Sequence, residues 1–261
     1  MSDIITALTG GILRVELNRP GSKNALTANM YGSLAEIFDD ADKDESVRVV
    51  LWHGAGDSFS AGNDVGDFLK NPPGPSESPQ ARLMDAFIRF EKPIVVAVQG
   101  AAVGSGTTML THCDVVYAGE SAKFQLPFIN LALVPEFGSS YSLPTRIGHI
   151  RAAELFLLGE RFDAARAAEL GLVTRVVPDQ HLFATATETA QKLAAKPGGA
   201  LRARKRLIKR AFVDEVKAAI RAEMQEFSER VRSAEAKEAL SAFLEKRPPN
   251  FNKTATHVAA E

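Results

Sequence analysis

Residues 94–118 have the sequence IVVAVQGAAVGSGTTMLTHCDVVYA. The stretch begins with an apolar run, Ile94–Gln99, which predicts a buried strand, and the glycine-containing turn Gly100–Gly106 follows it. An apolar helical segment, Thr107–Thr111, then leads into a second predicted strand, Asp114–Ala118. Strands that alternate with helices along the chain indicate an α/β fold. The sequence therefore predicts an α/β protein.

The alternation continues on both sides of this stretch. Leu13, Val15 and Leu17 alternate with polar residues, which indicates a strand with one buried face. A helix is expected to begin after Thr27, whose hydroxyl can cap it, and to run to about Ala41. The other predicted elements are a strand at Val47–Trp52, a helix that opens at Ser78-Pro79 and ends before Pro93, helices at Ile150–Leu158 and Asp163–Leu170, and a strand at Val173–Val177.

Two regions depart from this alternation. Residues 54–79 are expected to be irregular and mobile, because the proline-rich run at 71–76 cannot form a helix. After Pro178 only helical patterns remain, and from Pro197 onward the chain is rich in Ala, Arg and Glu. We therefore predict a core at residues 1–197 and a helical region at residues 198–261.

A basic run lies at the start of that helical region. Residues 201–210, LRARKRLIKR, contain six basic residues, which could bind phosphates. Leu201, Leu207 and Ile208 fit a packed apolar stripe, and Asp214 and Glu215 offset the charge. The run is therefore interpreted as the solvated face of a packed helix, with nucleic-acid binding as a distant alternative.

Charge and cysteine content restrict the class of protein. The 261 residues include 31 basic and 32 acidic side chains, so no global positive field attracts nucleic acid or an anionic membrane. A single cysteine, Cys113, excludes an internal disulfide framework and suits a reducing compartment, and five scattered histidines argue against a metal site. No window approaches the roughly 20 apolar residues of a membrane span, and the first residues lack the pattern of a signal peptide. We expect a soluble cytoplasmic protein without a metal.

Two segments rich in small residues could hold a ligand. Residues 58–64, SFSAGND, follow a buried strand and would let a ligand approach the backbone, although they could also form an ordinary turn. Residues 100–106, GAAVGSG, lead into a helix, whose free amides could hold an oxyanion. A close crossing of strand and helix would need the same glycines. Both interpretations stay open.

Glu136 is the candidate acid or base. It is the only charged residue in the segment LALVPEFG, residues 131–138. Apolar surroundings would raise its pKa and make it a better base near neutral pH, whereas a glutamate at a turn can also be simply solvated. The consecutive residues His112, Cys113 and Asp114 are not expected to form a nucleophile or metal site, because neighbours on a strand point to opposite faces.

These segments, in this order, resemble the enoyl-CoA hydratase/isomerase (crotonase) superfamily over most of the chain. The matching segments are NRP at 18–20, KNAL at 23–26, FSAGND at 59–64, GSG at 104–106, CDVVYA at 113–118, GERFDA at 159–164 and AELGLV at 168–173. The resemblance implies a ClpP-like spiral of ββα repeats with C-terminal helices that drive assembly into a homotrimer or a dimer of trimers. It also implies an acyl-CoA thioester as the ligand, with no cofactor besides the CoA of the substrate.

The resemblance also implies particular site residues. Two backbone amides, which by position look like those of Ala61 and Ser105, would hold the thioester oxygen and stabilise an enolate. The other residues that it places at the substrate are Lys23, Ala25, Ser60, Gly62, Asn63, Asp64 and Gly104. Asn63, Asp64 and the loop at residues 66–79 are expected to shape the acyl site.

Carboxylates distinguish the subfamilies that this chain resembles. Typical hydratases use two glutamates, and the matching positions here look like Thr108 and Phe128, neither of which can serve as a general base. Glu136 remains, as in the peroxisomal-type Δ3,Δ2-enoyl-CoA isomerases, which are also similar at residues 60–64. The resemblance implies that Glu136 carries a proton from C2 to C4 of a 3-enoyl-CoA. The alternatives are a hydratase, another acyl-CoA lyase or hydrolase of this superfamily, and an acyl-CoA-binding protein that has lost catalysis.

Overall fold

A computed structural model describes residues 2–70 and 78–253, in which the strands form two sheets. The strands are β1 (Ile4–Thr9), β2 (Ile12–Leu17), β3 (Val49–Gly54), β4 (Ile94–Val98), β5 (Ala101–Val103), β6 (Val115–Gly119), β7 (Lys123–Gln125), β8 (Arg161–Asp163) and β9 (Arg175–Val177). The larger sheet has the order β1-β2-β3-β4-β6-β9, antiparallel between β1 and β2 and parallel thereafter. In the smaller sheet β7 lies between β5, its parallel neighbour, and β8, its antiparallel neighbour.

Helices connect the strands and then follow them. They are α1 (Ala28–Lys43), α2 (Val65–Lys70), α3 (Pro79–Arg89), α4 (Ser105–Thr108), α5 (Ser139–Ile147), α6 (His149–Leu158), α7 (Ala164–Glu169), α8 (Asp179–Ala194), α9 (Gly198–Arg210), α10 (Val213–Arg230) and α11 (Ala234–Leu244). Within the described residues, no helix combines the length and the apolarity that are needed to cross a membrane.

The central strands of the larger sheet, β3, β4 and β6, are buried on both faces because nearly all of their side chains are apolar. Side chains on a strand alternate between the two faces. Trp52 of β3 points to one side, where its ring packs 5.9 Å from Phe38 of α1 and 5.7 Å from Phe87 of α3. Leu51 points to the other side and packs in a cluster with Leu182 of α8. Continuous apolar runs such as β4 are typical of parallel strands covered by helices on both faces.

The α/β class predicted from residues 94–118 is confirmed. The predicted strands correspond to β4 and β6, and α4 lies between them. The structure adds Ala101–Val103, which forms β5 inside the predicted turn, and it continues α4 as a 3-10 helix over Met109–His112. Three residues are too few to show a strand periodicity, so β5 could not be predicted.

Three other expectations differ from the structure. The irregular segment predicted for residues 54–79 contains helix α2 at Val65–Lys70, while residues 71–77 lie outside the described part of the chain. Strand β1 was not predicted, because it is an edge strand exposed at every position after Ile4. Helix α5 was not predicted either, since Pro144 lies inside it and proline argues against a helix interior.

The C-terminal helices share the core of the sheet. The prediction that only helices follow Pro178 is confirmed for the described residues. Val216, Ile220 and Phe227 of α10 belong to the same buried cluster as Trp52 of the sheet. The boundary at residues 197 and 198 stays a prediction, and the hydrophobic core continues across it.

The predicted orientation of α9 is wrong. Leu207 and Ile208 are 67% and 69% exposed, whereas Lys205 is buried. The Lys205 ammonium donates to the carbonyl of Lys92 and to the Asp114 carboxylate, each at 2.7 Å. Satisfied hydrogen bonds to an acceptor and a counter-charge let an ammonium lie in the interior.

Lys209 follows Lys205 by one helical turn and points the same way. Its ammonium donates to the carbonyls of Phe87 at 2.8 Å and Phe90 at 3.1 Å, at the C-terminal end of α3. The last carbonyls of a helix lack intrahelical partners and attract cations. Helix α9 is therefore held to the core by its lysines and presents apolar side chains outward.

Candidate active site

The two segments rich in small residues are joined to each other by the backbone. The amide of Ser60 donates to the carbonyl of Ala101, and the amide of Val103 donates to the carbonyl of Ser60, both at 2.9 Å. A Cβ atom on Gly62 would lie 2.5 Å from the Val103 carbonyl oxygen, and one on Gly106 would lie 2.7 Å from the Ser60 carbonyl oxygen. Both positions therefore require glycine, and the close crossing considered from the sequence is present.

The amide of Asn63 faces away from its neighbouring chain. Leu26 pairs with this residue in an isolated parallel bridge, donating to the carbonyl of Gly62 at 2.8 Å and accepting from the amide of Asp64 at 2.9 Å. In such a bridge the central residue directs its own N–H to the opposite side. The Asn63 amide accordingly makes no hydrogen bond within residues 2–70 and 78–253.

Ser105 supplies a second free amide, and Ala61 does not. Ser105 is the first residue of α4, where an N–H has no partner within the helix. Ser105 is fully buried, and Gly104 before it lines the adjoining cleft. The Ala61 amide donates to the carbonyl of Lys23 at 2.8 Å, so this amide is occupied, in contrast to the donor role predicted for Ala61.

Tyr31 of α1 links the side chains of the two free-amide residues. Its hydroxyl lies 2.7 Å from Oδ1 of Asn63 and 2.7 Å from Oγ of Ser105. Burial, reinforced by the nearby Glu136 carboxyl, raises the pKa of Tyr31 well above its ordinary value. Tyr31 was not predicted from the sequence, although its spacing from Leu34 and Phe38 on one helix face was a signal.

A cleft of about 670 Å³ opens beside these turns, and a small pocket of about 30 Å³ adjoins it. Asn63, Phe68 and Phe227 line both spaces. The cleft is lined by the following residues that the sequence analysis placed at the site: Lys23, Ala25, Ala61, Gly62, Asn63, Asp64 and Gly104. The pocket contains Glu136. The structure thus places most of the predicted residues around two adjoining spaces.

Ser60 does not reach that space. It is fully buried, its hydroxyl donates to the carbonyl of Asn24 at 2.9 Å, and its oxygen accepts from the amide of Gly62 at 3.1 Å. The position of the Ser60 side chain therefore does not support the predicted substrate contact. Its hydrogen bonds stabilise the loop instead. Asp64 lines the cleft but is tied to Arg19, whose guanidinium nitrogens both lie 3.1 Å from Oδ2.

Glu136 is buried in the pocket with a chemically available carboxyl. Its exposed fraction is 6%, and Oε1 has no hydrogen-bond partner among the described residues. Burial raises the pKa of Glu136 to about 8, the nearby Glu223 carboxyl acts in the same direction, and the Asn63 side chain opposes the rise. A carboxyl with such a pKa can both take up and return a proton near neutral pH.

Neither of the two positions that match the hydratase glutamates carries an acidic side chain. Thr108 is fully buried, and its hydroxyl contacts the carbonyl of Gly104 at 3.4 Å. Phe128 lines the cleft with an apolar ring. Neither side chain can activate a water molecule as a general base.

His112, Cys113 and Asp114 each have a separate structural contact. His112 ends a 3-10 helix and is not on a strand, so the reason given from the sequence was wrong. Its Nε2 lies 2.7 Å from the Phe137 carbonyl oxygen, and burial lowers its pKa to about 4. Asp114 pairs with Lys205. Within residues 2–70 and 78–253, no three His, Cys, Asp or Glu side chains are grouped as metal ligands.

Glu223 of α10 is a pocket residue that the sequence analysis missed. Its two carboxylate oxygens accept the amides of Gly138 and Ser140, each at 2.7 Å. From the sequence, this region was expected to make subunit contacts only. A carboxylate between Ile220 and Phe227 on a buried helix face was the signal that could have found it.

Comparisons with known proteins agree with this architecture. The 1,2-epoxyphenylacetyl-CoA isomerase of Escherichia coli (strain K12) is 34% identical over 258 residues, which span 96% of this chain and 98% of that protein. The enoyl-CoA delta isomerase 2 of Rattus norvegicus is 35% identical over 252 residues, 94% of this chain and 64% of that protein. Relatives of similar identity include proteins named as enoyl-CoA hydratases.

A solved structure and a family profile extend the match to nearly the whole chain. The crystal structure of an enoyl-CoA hydratase/isomerase from Pseudoalteromonas atlantica T6c superposes with a TM-score of 0.91 at 40% identity, covering 96% of this chain and 100% of that one. The profile of the enoyl-CoA hydratase/isomerase family matches residues 8–254. The chain therefore belongs to the enoyl-CoA hydratase/isomerase family, the crotonase superfamily.

Proposed function

We propose that this chain is an isomerase that moves the double bond of a 3-enoyl-CoA to the 2-position. The observation that carries the proposal is the buried Glu136 carboxyl, whose Oε1 has no hydrogen-bond partner in the described part of the chain. It lies in a pocket that shares Asn63 with the cleft. One acid suffices when a proton leaves one carbon and returns to another carbon of the same substrate.

In the proposed reaction, ionised Glu136 removes a proton from C2 of the 3-enoyl-CoA. The electron pair of the broken C–H bond passes through the C2–C1 bond onto the thioester oxygen, which gives a dienolate. When the dienolate collapses, protonated Glu136 returns the proton to C4, and the double bond then lies between C2 and C3. The proton count of substrate and product is equal, and no water, metal or redox cofactor takes part.

The amides of Asn63 and Ser105 are the donors that we assign to the thioester oxygen. Both N–H groups are unpaired in the described chain, and their side chains meet at the Tyr31 hydroxyl. Fixed donors stabilise an oxyanion strongly because they need no reorganisation, and a single donor contributes about 2.7–4 kcal/mol. Assigning Asn63 replaces the earlier expectation for Ala61, whose amide is occupied.

The names of two relatives support an isomerase and an acyl-CoA ligand. The proteins of Escherichia coli and Rattus norvegicus described above are both named as CoA isomerases. The large cleft also has room for an extended thioester. We therefore propose an acyl-CoA thioester as the ligand, with Lys23, Ala25, Gly62, Asp64 and Gly104 at the cleft wall.

Water addition is the second candidate, because the pocket holds a second carboxyl. Hydratases are named among the relatives, and Glu223 lines the same pocket as Glu136. Both oxygens of Glu223 already accept backbone amides, however, which leaves them poorly placed to activate water. This arrangement favours isomerisation over hydration.

A panel of 2-enoyl- and 3-enoyl-CoA thioesters of several chain lengths tests the proposal. Isomerisation converts a 3-enoyl-CoA to a product of equal mass with the absorbance of a conjugated thioester. Hydration adds the mass of one water to a 2-enoyl-CoA. Tight binding of every thioester without turnover would instead indicate a binding protein that has lost catalysis.

We also propose that the C-terminal helices contact other subunits in a trimer or a dimer of trimers. Support comes from exposed apolar residues on α9 and α11, where Ile208 and Phe243 are 69% and 59% exposed. Sedimentation of the intact protein should give trimers or hexamers, and a stable monomer at micromolar concentration would contradict this. A cytoplasmic location is a further proposal, supported by the single cysteine, Cys113.

A further inference from the structure

The turn that carries Glu136 has an unusual backbone and is held from two sides. Phe137, directly after it, has a φ of 62°, a left-handed conformation that is uncommon for a residue other than glycine. From one side, the His112 ring lies 2.7 Å from the Phe137 carbonyl oxygen. From the other side, Glu223 accepts the amides of Gly138 and Ser140. The position of the Glu136 carboxyl thus depends on contacts that its own segment does not make.

Glu223 holds this turn from a buried position. It is 6% exposed on the face of α10 that also carries the buried residues Val216, Ile220 and Phe227. Burial of a carboxylate is costly unless hydrogen bonds satisfy it. The two amides at 2.7 Å supply those bonds, and they include amides at the start of α5, where no side chain of the segment itself caps the helix.

We propose that Glu223 is a positioning residue for Glu136, because it fastens the turn at residues 136–140 to α10 and places a second carboxyl in the same pocket. The inference rests on the proposed isomerase function for its effect on turnover. The hydrogen bonds of Glu223 and its charge each have one consequence. The hydrogen bonds fix the location of the Glu136 carboxyl, and the negative charge of Glu223 disfavours ionisation of Glu136.

Few other groups can influence this pair of carboxyls. Tyr31 of α1 interacts with Glu136, and the remaining pocket side chains are neutral, including that of Asn63, which opposes the rise in the pKa of Glu136. Burial raises the pKa of both glutamates, the Glu223 carboxyl further raises that of Glu136, and the Ser140 and Gly138 contacts oppose the rise at Glu223. Within the described chain, Glu223 is therefore the charged group that faces Glu136 across the pocket.

The substitution Glu223→Gln tests both consequences. It keeps the shape, removes the charge and leaves one of the two amides without an acceptor. We expect kcat for a 3-enoyl-CoA to fall by about 10- to 100-fold, because small displacements of a catalytic group are costly. We also expect the ascending limb of kcat/KM against pH to move to lower pH. Glu226→Gln, an exposed charge removal on the same helix, should change neither quantity.

A second measurement does not depend on turnover or on the folding of the Glu223 variant. In parent protein labelled with 13C at glutamate carboxyls, Glu223 should titrate below Glu136, because the charge of Glu223 disfavours ionisation of Glu136 only if Glu223 is already ionised at that pH. Glu136→Gln leaves the contacts of Glu223 with Gly138 and Ser140 in place and removes one of the two titrations, which assigns them.

The outcomes separate the two proposals. A parent protein without isomerase turnover contradicts the proposed function, and the carboxyl titration still tests Glu223. An active parent whose folded Glu223→Gln variant keeps the pH limb of the parent, or a Glu223 carboxyl that titrates above Glu136 in the parent, overturns the role of the Glu223 charge. Parental kcat in folded Glu223→Gln overturns the fastening role.

Discussion

The two halves of the proposed site are built from different chemical groups. The oxyanion half consists of backbone amides in turns that are fixed by glycines and by mutual hydrogen bonds, as at Gly62 and Gly106. The carboxyl half consists of two buried side chains, Glu136 and Glu223. An amide has no charge that responds to pH, whereas the charge of a buried carboxyl depends on its surroundings.

This difference determines which substitutions each half should tolerate. The oxyanion half should accept new side chains as long as the N–H and the backbone path remain. The carboxyl half should be sensitive to a single change of charge, because the pKa of Glu136 depends on burial, on Glu223 and on Asn63. The experiments below compare the two halves, beginning with the largest expected effect.

Replacing the acid itself should have the largest effect. Glu136→Gln keeps the shape of the side chain but cannot transfer a proton, and general acid–base catalysis contributes about 10²–10⁴-fold. We expect kcat for a 3-enoyl-CoA to fall by that factor, measured as the growth of conjugated absorbance. Calorimetry should show that acyl-CoA binding is retained, and near-parental turnover would contradict the role of Glu136.

The oxyanion half is tested by two substitutions at one position. Ser105→Pro removes the N–H at the first position of α4, where proline is tolerated, and should lower kcat by about 10²–10³-fold. Ser105→Ala keeps the N–H and should retain activity within a few-fold. Circular dichroism checks that both variants fold. Loss of activity in folded Ser105→Ala would identify the hydroxyl as the active group and overturn the amide role.

Folding stability gives a test of the carboxyl half without a substrate. The pKa of Glu136 is about 8 in the folded chain, against an ordinary value of 4.5. Between these values the folded chain retains a proton that the unfolded chain has released, so the contribution of Glu136 to stability decreases as pH rises. Glu136→Gln should therefore gain stability relative to the parent from about pH 5 to about pH 8 in urea unfolding. Glu226→Gln should show no such trend, and a flat difference for Glu136→Gln would mean an ordinary pKa.

Much of the fold could be predicted because its main elements are long and periodic. The strands β3, β4 and β6 contain continuous apolar runs, and the stripe of α1 has clear helical spacing. The short strands β5, β7 and β8 have three residues each and gave no periodicity. Helix α9 was oriented wrongly because Lys205 and Lys209 find their acceptors on distant segments, which a local pattern does not reveal.

The segments that form the candidate site could be predicted from the sequence, but not which individual groups are available in it. Glu136 was recognisable because it is the only charged residue in an apolar segment, and its burial is confirmed. The sequence did not reveal which amide is free, because the hydrogen bond from the Ala61 amide goes to the carbonyl of Lys23, which is distant in sequence. Glu223 lies 87 positions after Glu136 in a helix whose pattern indicated packing, so its approach to the pocket required the tertiary structure.

The smallest expected effect concerns Asn63, which belongs to both halves. Its backbone N–H is assigned to the oxyanion, and its side chain lowers the pKa of Glu136. Asn63→Ala keeps the amide and removes the side chain, so the dienolate keeps both donors while ionised Glu136 loses a stabilising contact. The ascending limb of kcat/KM should therefore move to higher pH by a fraction of a unit, opposite to the shift expected for Glu223→Gln. At pH values above the limb, kcat should stay within a few-fold of the parent.

Ser105→Ala is the matched control for this experiment, because its side chain also contacts Tyr31 but is not among the groups that shift the pKa of Glu136. It should leave the limb in place. A large loss of kcat at every pH in folded Asn63→Ala, with no shift of the limb, would mean that the amide depends on the side chain for its placement. The oxyanion half and the carboxyl half would then depend on each other for their geometry, since Tyr31 joins Asn63 to Ser105. An opposite shift in the two variants, Asn63→Ala and Glu223→Gln, would instead show that the carboxyl half is tuned by its neighbours while the amides act independently of them.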